Sequence, residues 1–251
     1  MLGAIILAFN VRAHKEAREA AERAVAALNE ANIKEIAVIR GYKKEAIALP
    51  NIRYYDNDRY EDTGELFSIF CAEPEMKGRT IVLYGDIIFD TTILEKLLKS
   101  SADFALVIDL AWRDHVDRGG APVHLNPDLV TLADPPGSSY LSRFVMGEDE
   151  HRIVKIGQHL PLDQVHGEFI GMAMFSEKGT QAMRECYRSS QERYKSAAFH
   201  EARSVSKASF TDLVQELIDE GHRIDAVPVF KGWMEVDSFE EYQKAWAKIR
   251  Q

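Results

Sequence analysis

The chain has 251 residues, 46% hydrophobic and 28% charged, the balance of a globular protein and not of a disordered or fibrous one. Its formal net charge of −9 argues against a nucleic-acid surface, which requires a broad basic stripe. Phosphate contacts through a bound cation and a few basic side chains stay open. Cys71 and Cys186 lie far apart with no metal or redox spacing, so they read as reduced thiols of a cytoplasmic protein.

The length suits one α/β domain, residues 1–251, with a first half at 1–110 and a second at 111–251. The apolar start, Met1 to Phe9, is too short to cross a membrane and lacks the marks of a leader. Gly3 to Phe9 is therefore predicted as a strand buried on both faces. Ala13 to Ala31 reads as a helix, with an apolar stripe at Ala17, Ala20, Ala21, Ala24, Val25 and Leu28. Glu35 to Ile39 follows as a second strand, giving a βαβ unit with a parallel pair. Ile52 to Tyr55 is a third strand, and Thr63 is predicted to cap a helix containing Leu66, Phe67, Ile69 and Phe70.

The central stretch is Thr80 to Ser100. Ile81 to Tyr84 is a short buried strand, broken by Gly85 and Asp86. Ile93, Leu94, Leu97 and Leu98 then recur at helical spacing. Phe104 to Leu110 is another strand. From Ala111 to His166 short runs (Val123–Leu125, Ser142–Met146, Arg152–Ile156) separated by Gly, Pro and Asp suggest hairpins or a substrate-facing lobe. Glu168 to Ser176 is a strand whose internal Gly171 marks a close backbone approach. Glu177 to Arg193 and the Ser-capped Ser209 to Glu220 are helices, the latter ended by Gly221. Ile224 to Phe230 is a late strand, Gly232 to Asp237 a short segment, and Ser238 to Arg250 a closing amphipathic helix.

Two acidic positions are candidates for chemistry. Asp86 stands after Gly85 at the carboxyl end of the central strand, where ligands of open α/β sheets bind. A carboxylate there can hold a hard cation such as Mg2+, or it can cap the turn. Glu235 and Asp237 alternate along an extended segment and so share a face. They can share a divalent ion with a triphosphate, or serve as a solvated acid and a helix N-terminal charge. Lys43 ends a strand and either meets phosphate or is solvated. Lys155 alternates with apolar Ile153, Val154 and Ile156, pointing to solvent or into a cleft. His166 reads as a surface loop histidine. The histidines form no zinc pair, and there is no Walker sequence or nucleophile elbow.

Five stretches, in order and spacing, resemble the nucleotidyltransferase superfamily with a glycosyltransferase-A-like fold: IAVIRGYKKE (36–45), NDRYEDTGELFSIFCA (57–72), 81–98, GEFIGMAMFSEKG (167–179) and GWMEVDSFEEYQKA (232–245). The nearest branch is the phosphocholine and phosphonate cytidylyltransferases, including nucleotidyltransferase domains found with phosphoenolpyruvate mutase. The resemblance implies an α/β fold, a three-layer α/β/α sandwich with a mostly parallel Rossmann-like central sheet. It also implies transfer of a cytidylyl group from CTP (or another NTP) to a small phosphonate or phosphorylated alcohol, with Mg2+ as cofactor and pyrophosphate as product. Asp86 and Asp237, with Glu235, then form the metal site. Arg12 and Lys15 are the catalytic cations, and Lys43, Lys155, Gln158 and Glu168 contact substrate.

The N-terminus departs from the family's pattern. No glycine occurs between Gly3 and Gly41, so the glycine-rich phosphate loop, whose backbone N–H groups cradle the nucleotide, is missing. Arg12 and Lys15 must stand in for it. Gln158 occupies a position where a substrate-facing lysine is expected. Two readings follow: a cytidylyltransferase, or a catalytically impaired binding or regulatory module. Either is expected to act on its own, as a homodimer, or beside a phosphoenolpyruvate mutase, without nucleic acid or membrane.

Overall fold

The computed structural model describes residues 2–7, 14–115, 127–133 and 151–235. Val123–Leu125, Ser142–Met146, the closing helix at 238–250, Arg12 and Asp237 lie outside them.

The first unit is strand β1 (Leu2–Leu7), helix α1 (His14–Glu30) and strand β2 (Glu35–Arg40). Ala20, Ala21, Ala24 and Leu28 are buried, the stripe expected of α1. Asn32 enters the left-handed region at φ 62° and ends the helix. Next come β3 (Arg53–Asp56), α2 (Glu65–Cys71) and β4 (Arg79–Tyr84). A short strand β5 (Ile87–Phe89) and α3 (Thr91–Lys99) follow. The chain continues through β6 (Phe104–Asp109), β7 (Leu129–Leu132), β8 (His151–Gly157), β9 (Gly167–Phe175) and α4 (Glu177–Arg193). It closes, among the described residues, with α5 (Phe210–Asp219), β10 (Ile224–Val229) and β11 (Trp233–Glu235). No helix there is long and apolar enough to cross a membrane.

Nine strands form one sheet in the order β3-β2-β1-β4-β9-β6-β10-β8-β7, and β5 and β11 form a separate two-stranded sheet. Pairings among β1–β4 and between β6 and β10 are parallel. β9 inserts antiparallel between β4 and β6, and β8 and β7 are antiparallel to their neighbours. The sheet is therefore mixed, where a mostly parallel one was expected. A single strand wedged between two parallel ones reverses two ladders at once.

Alternation along the strands sends side chains into two cores. Ile5, Val82, Leu106 and Phe175 pack with Leu66, Met183, Phe210 and Leu213 of α2, α4 and α5. Ile6, Leu83, Val107 and Met174 pack with Leu28 and Leu97 of α1 and α3. Helices thus lie on both faces, which is why β4, β6 and β9 are apolar at nearly every position.

Three local expectations change. Thr63 does not cap α2. Gly64 holds that position, with its N–H donated to Ser206 O and with Ala208 and Lys207 too close for a Cβ. Strands β5 and β7 were not anticipated from the sequence, being three and four residues long. Gly171 does mark a close approach, but of a side chain: at φ +78° it faces the Tyr84 ring, which a Cβ would overlap. It sits where the β6–β9 register shifts, between Leu106 and Ile108.

Gly171→Ala is expected to combine overpacking with a left-handed backbone, together about 2–4 kcal/mol. At roughly 2–4 °C per kcal/mol for a chain of this size, thermal denaturation should fall by about 5–15 °C. Gly221, at φ +90° with open space around it, serves as the control. Gly221→Ala should cost only about 1 kcal/mol.

Candidate active site

Parallel strands that end on one edge of a sheet, with the next element turning away, leave a crevice there. Here the crevice collects acids. Asp86 follows β4 after Gly85, and its Oδ1 is buried. β11 lies antiparallel on β5, pairing Glu235 with Ile87, the residue after Asp86. Of the acids picked out in the sequence, 86 and 235 thus lie at the same end of a two-stranded ladder, Asp86 one residue before β5 and Glu235 at the end of β11. Because β9 runs against β6, its first residues meet the carboxyl end of β6, so the buried Glu168 stands opposite Asp109.

Two further acids complete the group. Glu65 opens α2, and its carboxyl group faces the Tyr84 hydroxyl and the N–H of Phe210, the first residue of α5. Its Oε1 is buried and accepts no hydrogen bond among the described residues. Asp128 precedes β7, and its Oδ1 accepts from Gln158 Nε2 and Thr211 Oγ1, each at 3.3 Å.

The electrostatics follow from this crowding. Burial raises the Glu65 carboxyl to about 8, and the Asp128 and Asp86 charges add to it, against the opposing Tyr84 and Phe210 contacts. Burial likewise raises Asp128 to about 7, with Glu235 and Glu168 adding and the Gln158 and Thr211 hydrogen bonds opposing. Burial, and then the charge of Glu65, lifts the Tyr84 phenol well above its usual range. The charges acting most strongly on Glu65 and Asp128 are all negative. Such a group at neutral pH holds protons or a cation. Carboxylates from separate segments suit a hard divalent ion, which takes oxygen ligands from one or two carboxylates and the rest from phosphate and water.

The other sequence candidates divide. Gln158 and Glu168 join the acids through Asp128. Lys43 is exposed in a left-handed conformation at φ 48°, its Nζ 5.2 Å from the centre of the Tyr42 ring, and Lys155 is exposed on β8 opposite Thr131. Lys15 falls within α1, with its side chain outside the described set, as Arg12 and Asp237 are. His166 is half-buried, not a free loop histidine: its Nδ1 accepts from Leu132 N–H at 3.0 Å, and burial, then the Arg113 charge, lowers its pKa.

Among the described residues, three ligand atoms close enough to grip an ion unaided occur at His200, Glu216 and Asp219. Glu216 there already accepts from Arg193, Tyr194 and His200, which accounts for that cluster as an internal network. Glu65, Asp128 and Asp109 were not singled out in the sequence. Asp109 ends an apolar strand as Asp86 does, and that same signal points to it. Asp128 precedes only a four-residue strand, and Glu65 is one of many helix-start acids, so neither has a distinguishing signal.

No family model matches the chain. A CTP:phosphoglutamine cytidylyltransferase of Campylobacter jejuni subsp. jejuni serotype O:2 (strain ATCC 700819 / NCTC 11168) is 24% identical over 227 residues, covering 85% of this chain and 81% of that protein. The structure of an inositol-1-phosphate CTP transferase from T. maritima superposes with a TM-score of 0.65 at 15% identity, over 99% of this chain and 96% of the other. That of a CTP:phosphocholine cytidylyltransferase from Streptococcus pneumoniae gives 0.64 at 15% identity over 99% of both chains.

Both raised carboxyls make stability pH-dependent, with a definite sign. A group whose folded pKa is raised contributes stability that is full below its unfolded value and lost as pH rises through its folded value. For Glu65 that window runs from 4.5 to about 8, and for Asp128 from 3.8 to about 7. In chelator, the melting temperature should therefore fall between about pH 6 and about pH 9, and Glu65→Gln should flatten the slope. A wild-type melting temperature unchanged across that range contradicts the assignment.

Proposed function

We propose that this chain, which has the nucleotidyltransferase fold and resembles the cytidylyltransferases of that superfamily, moves a cytidylyl group from CTP to a small phosphorylated or phosphonate acceptor. An acceptor oxygen attacks the α-phosphorus of CTP. One P–O bond forms, the bond to the bridging oxygen breaks, and pyrophosphate leaves with that electron pair. The observation that supports this reading is the β5–β11 pairing, in which Glu235 lies opposite Ile87, the residue after Asp86. The family resemblance assigns Asp86 and Asp237, with Glu235 near the latter, to a metal, and Asp237 lies outside the described residues. The named activities of the similar proteins support the nucleotide and the phosphorylated acceptor.

Asp86, Glu235 and Asp237 would hold Mg2+, which when bound offsets triphosphate and pyrophosphate charge. Gln158 and Glu168, grouped around Asp128, serve the acceptor side. Glu168 and Asp128 repel a phosphate and favour an acceptor with a positively charged end, such as phosphocholine or 2-aminoethylphosphonate. Arg12 and Lys15 supply the positive charge that meets the triphosphate in place of a glycine-rich loop, with Lys43 and Lys155 as outer contacts. A second reading, a nucleotide-binding module without turnover, is favoured by Gln158: its amide is engaged by Asp128 and it brings no charge to the acceptor.

Two measurements separate these. Pyrophosphate release from CTP with phosphocholine or 2-aminoethylphosphonate should be robust in the wild type. It should drop at least about 100-fold in Asp86→Ala, the scale of losing one charge-stabilising contact in the transition state. Equal signals from the two proteins remove the enzyme reading. CTP should also raise the melting temperature by several degrees only when Mg2+ is present. A shift without turnover leaves the binding module.

A further inference from the structure

One buried carboxylate has no part in the chemistry above and holds the segment that carries Glu235. Asp109, at the end of β6, is fully buried (0% exposed). Its Oδ1 accepts from Ala111 N–H at 2.8 Å and Lys231 N–H at 3.2 Å, and its Oδ2 accepts from Trp233 Nε1 at 2.8 Å. Of these donors, Lys231 belongs to the turn that leads from β10 into β11, and Trp233 is the first residue of β11. That turn is strained: Lys231 and Gly232 are consecutive left-handed residues at φ 64° and 85°. A non-glycine residue in that region costs about 1–2 kcal/mol and persists only where its surroundings over-determine it. Gly232 O in turn accepts from Asp90 N–H at 2.8 Å, just past β5, and Leu110 N–H donates to Val229 O at 2.9 Å.

We infer that Asp109 is a positioning residue for the metal site, fixing the register in which β11 lies on β5 and hence the place of Glu235 beside Asp86. The inference rests on the cation reading above. Its logic is geometric. At least three donors converge on the two acceptor oxygens, and only a carboxylate presents acceptors on both sides. An asparagine would turn an NH2 toward the Trp233 indole or toward the two backbone N–H groups. Without that anchor the strained turn is free to relax. A one-residue slip of β11 then moves Glu235 off its partner Ile87 and turns its side chain to the other face.

The test is Mn2+ binding, read by the loss of the free-ion electron paramagnetic resonance signal, in the presence of a non-hydrolysable CTP analogue. Asp109→Asn and Trp233→Phe should each weaken Mn2+ by roughly 10-fold, a loss of about 1.4 kcal/mol. The decisive comparison is the same pair of variants in a Glu235→Gln background. If Asp109 acts through Glu235, its further effect there should shrink to under about 2-fold, since coupled residues are not additive. Amide exchange should also quicken in residues 229–235 and not elsewhere in the sheet. Should Asp109→Asn fail to fold, Trp233→Phe alone decides by the same cycle. Unchanged Mn2+ affinity in a folded variant, or an equal loss in both backgrounds, overturns the role of Asp109. A wild type that takes up no Mn2+ overturns the cation reading and this inference with it.

Discussion

Like charges gathered in a partly dry crevice set the terms for this protein. Glu65, Asp86, Asp128, Glu168 and Glu235 come from separate segments and act on one another. At ~5 Å and an effective dielectric of ~20, one pair of like charges costs about 3 kcal/mol. A few such pairs rival the 5–15 kcal/mol by which folded proteins of ordinary stability exceed their unfolded chains. The crevice is therefore not stable fully ionised and empty. It takes up protons, as the raised Glu65 and Asp128 carboxyls do, or a cation.

The scaffold that gathers these acids depends on the antiparallel strand β9. By lying between β4 and β6 it brings its first residues to their carboxyl ends, so Glu168 joins acids that follow parallel strands. The register shift at Gly171 clears space for Tyr84. Its ring then packs edge-on to Phe169, with centroids 5.8 Å apart, and its hydroxyl faces Glu65. A change of one glycine in the core thus reaches the electrostatics of the crevice through one aromatic side chain.

The helices contribute in a different way. Ser209 and Asp212 form a reciprocal cap at the start of α5, which fixes the N–H of Phe210 toward Glu65. A helix N-terminus favours a carboxylate, so α5 moderates the burial that raises Glu65 without cancelling it. The same helix supplies Thr211 to Asp128. Two of the most perturbed carboxyls are thus held by adjacent residues of one helix.

Much of this was legible from residues alone. The run of apolar strands, the alanine stripe of α1, the serine cap of α5 and the glycine that ends it depend on near neighbours in sequence, and each formed where local pattern placed it. Asp86 was readable because an acid breaking an apolar run after glycine is a local signal, and Glu235 because its strand alternates. β5 and β7 were not, since three or four residues hold too few alternations to stand out. Nor were the burial of the Glu65 and Asp128 carboxyls and the hydrogen bond from Gln158 to Asp128. Sequence by itself determined the longer elements and their order, because hydrophobic period and capping act over a few residues. Only the tertiary structure decided which acids share a crevice, because burial and Coulomb repulsion depend on distances that arise when β9 inserts between β4 and β6 and β11 folds back on β5.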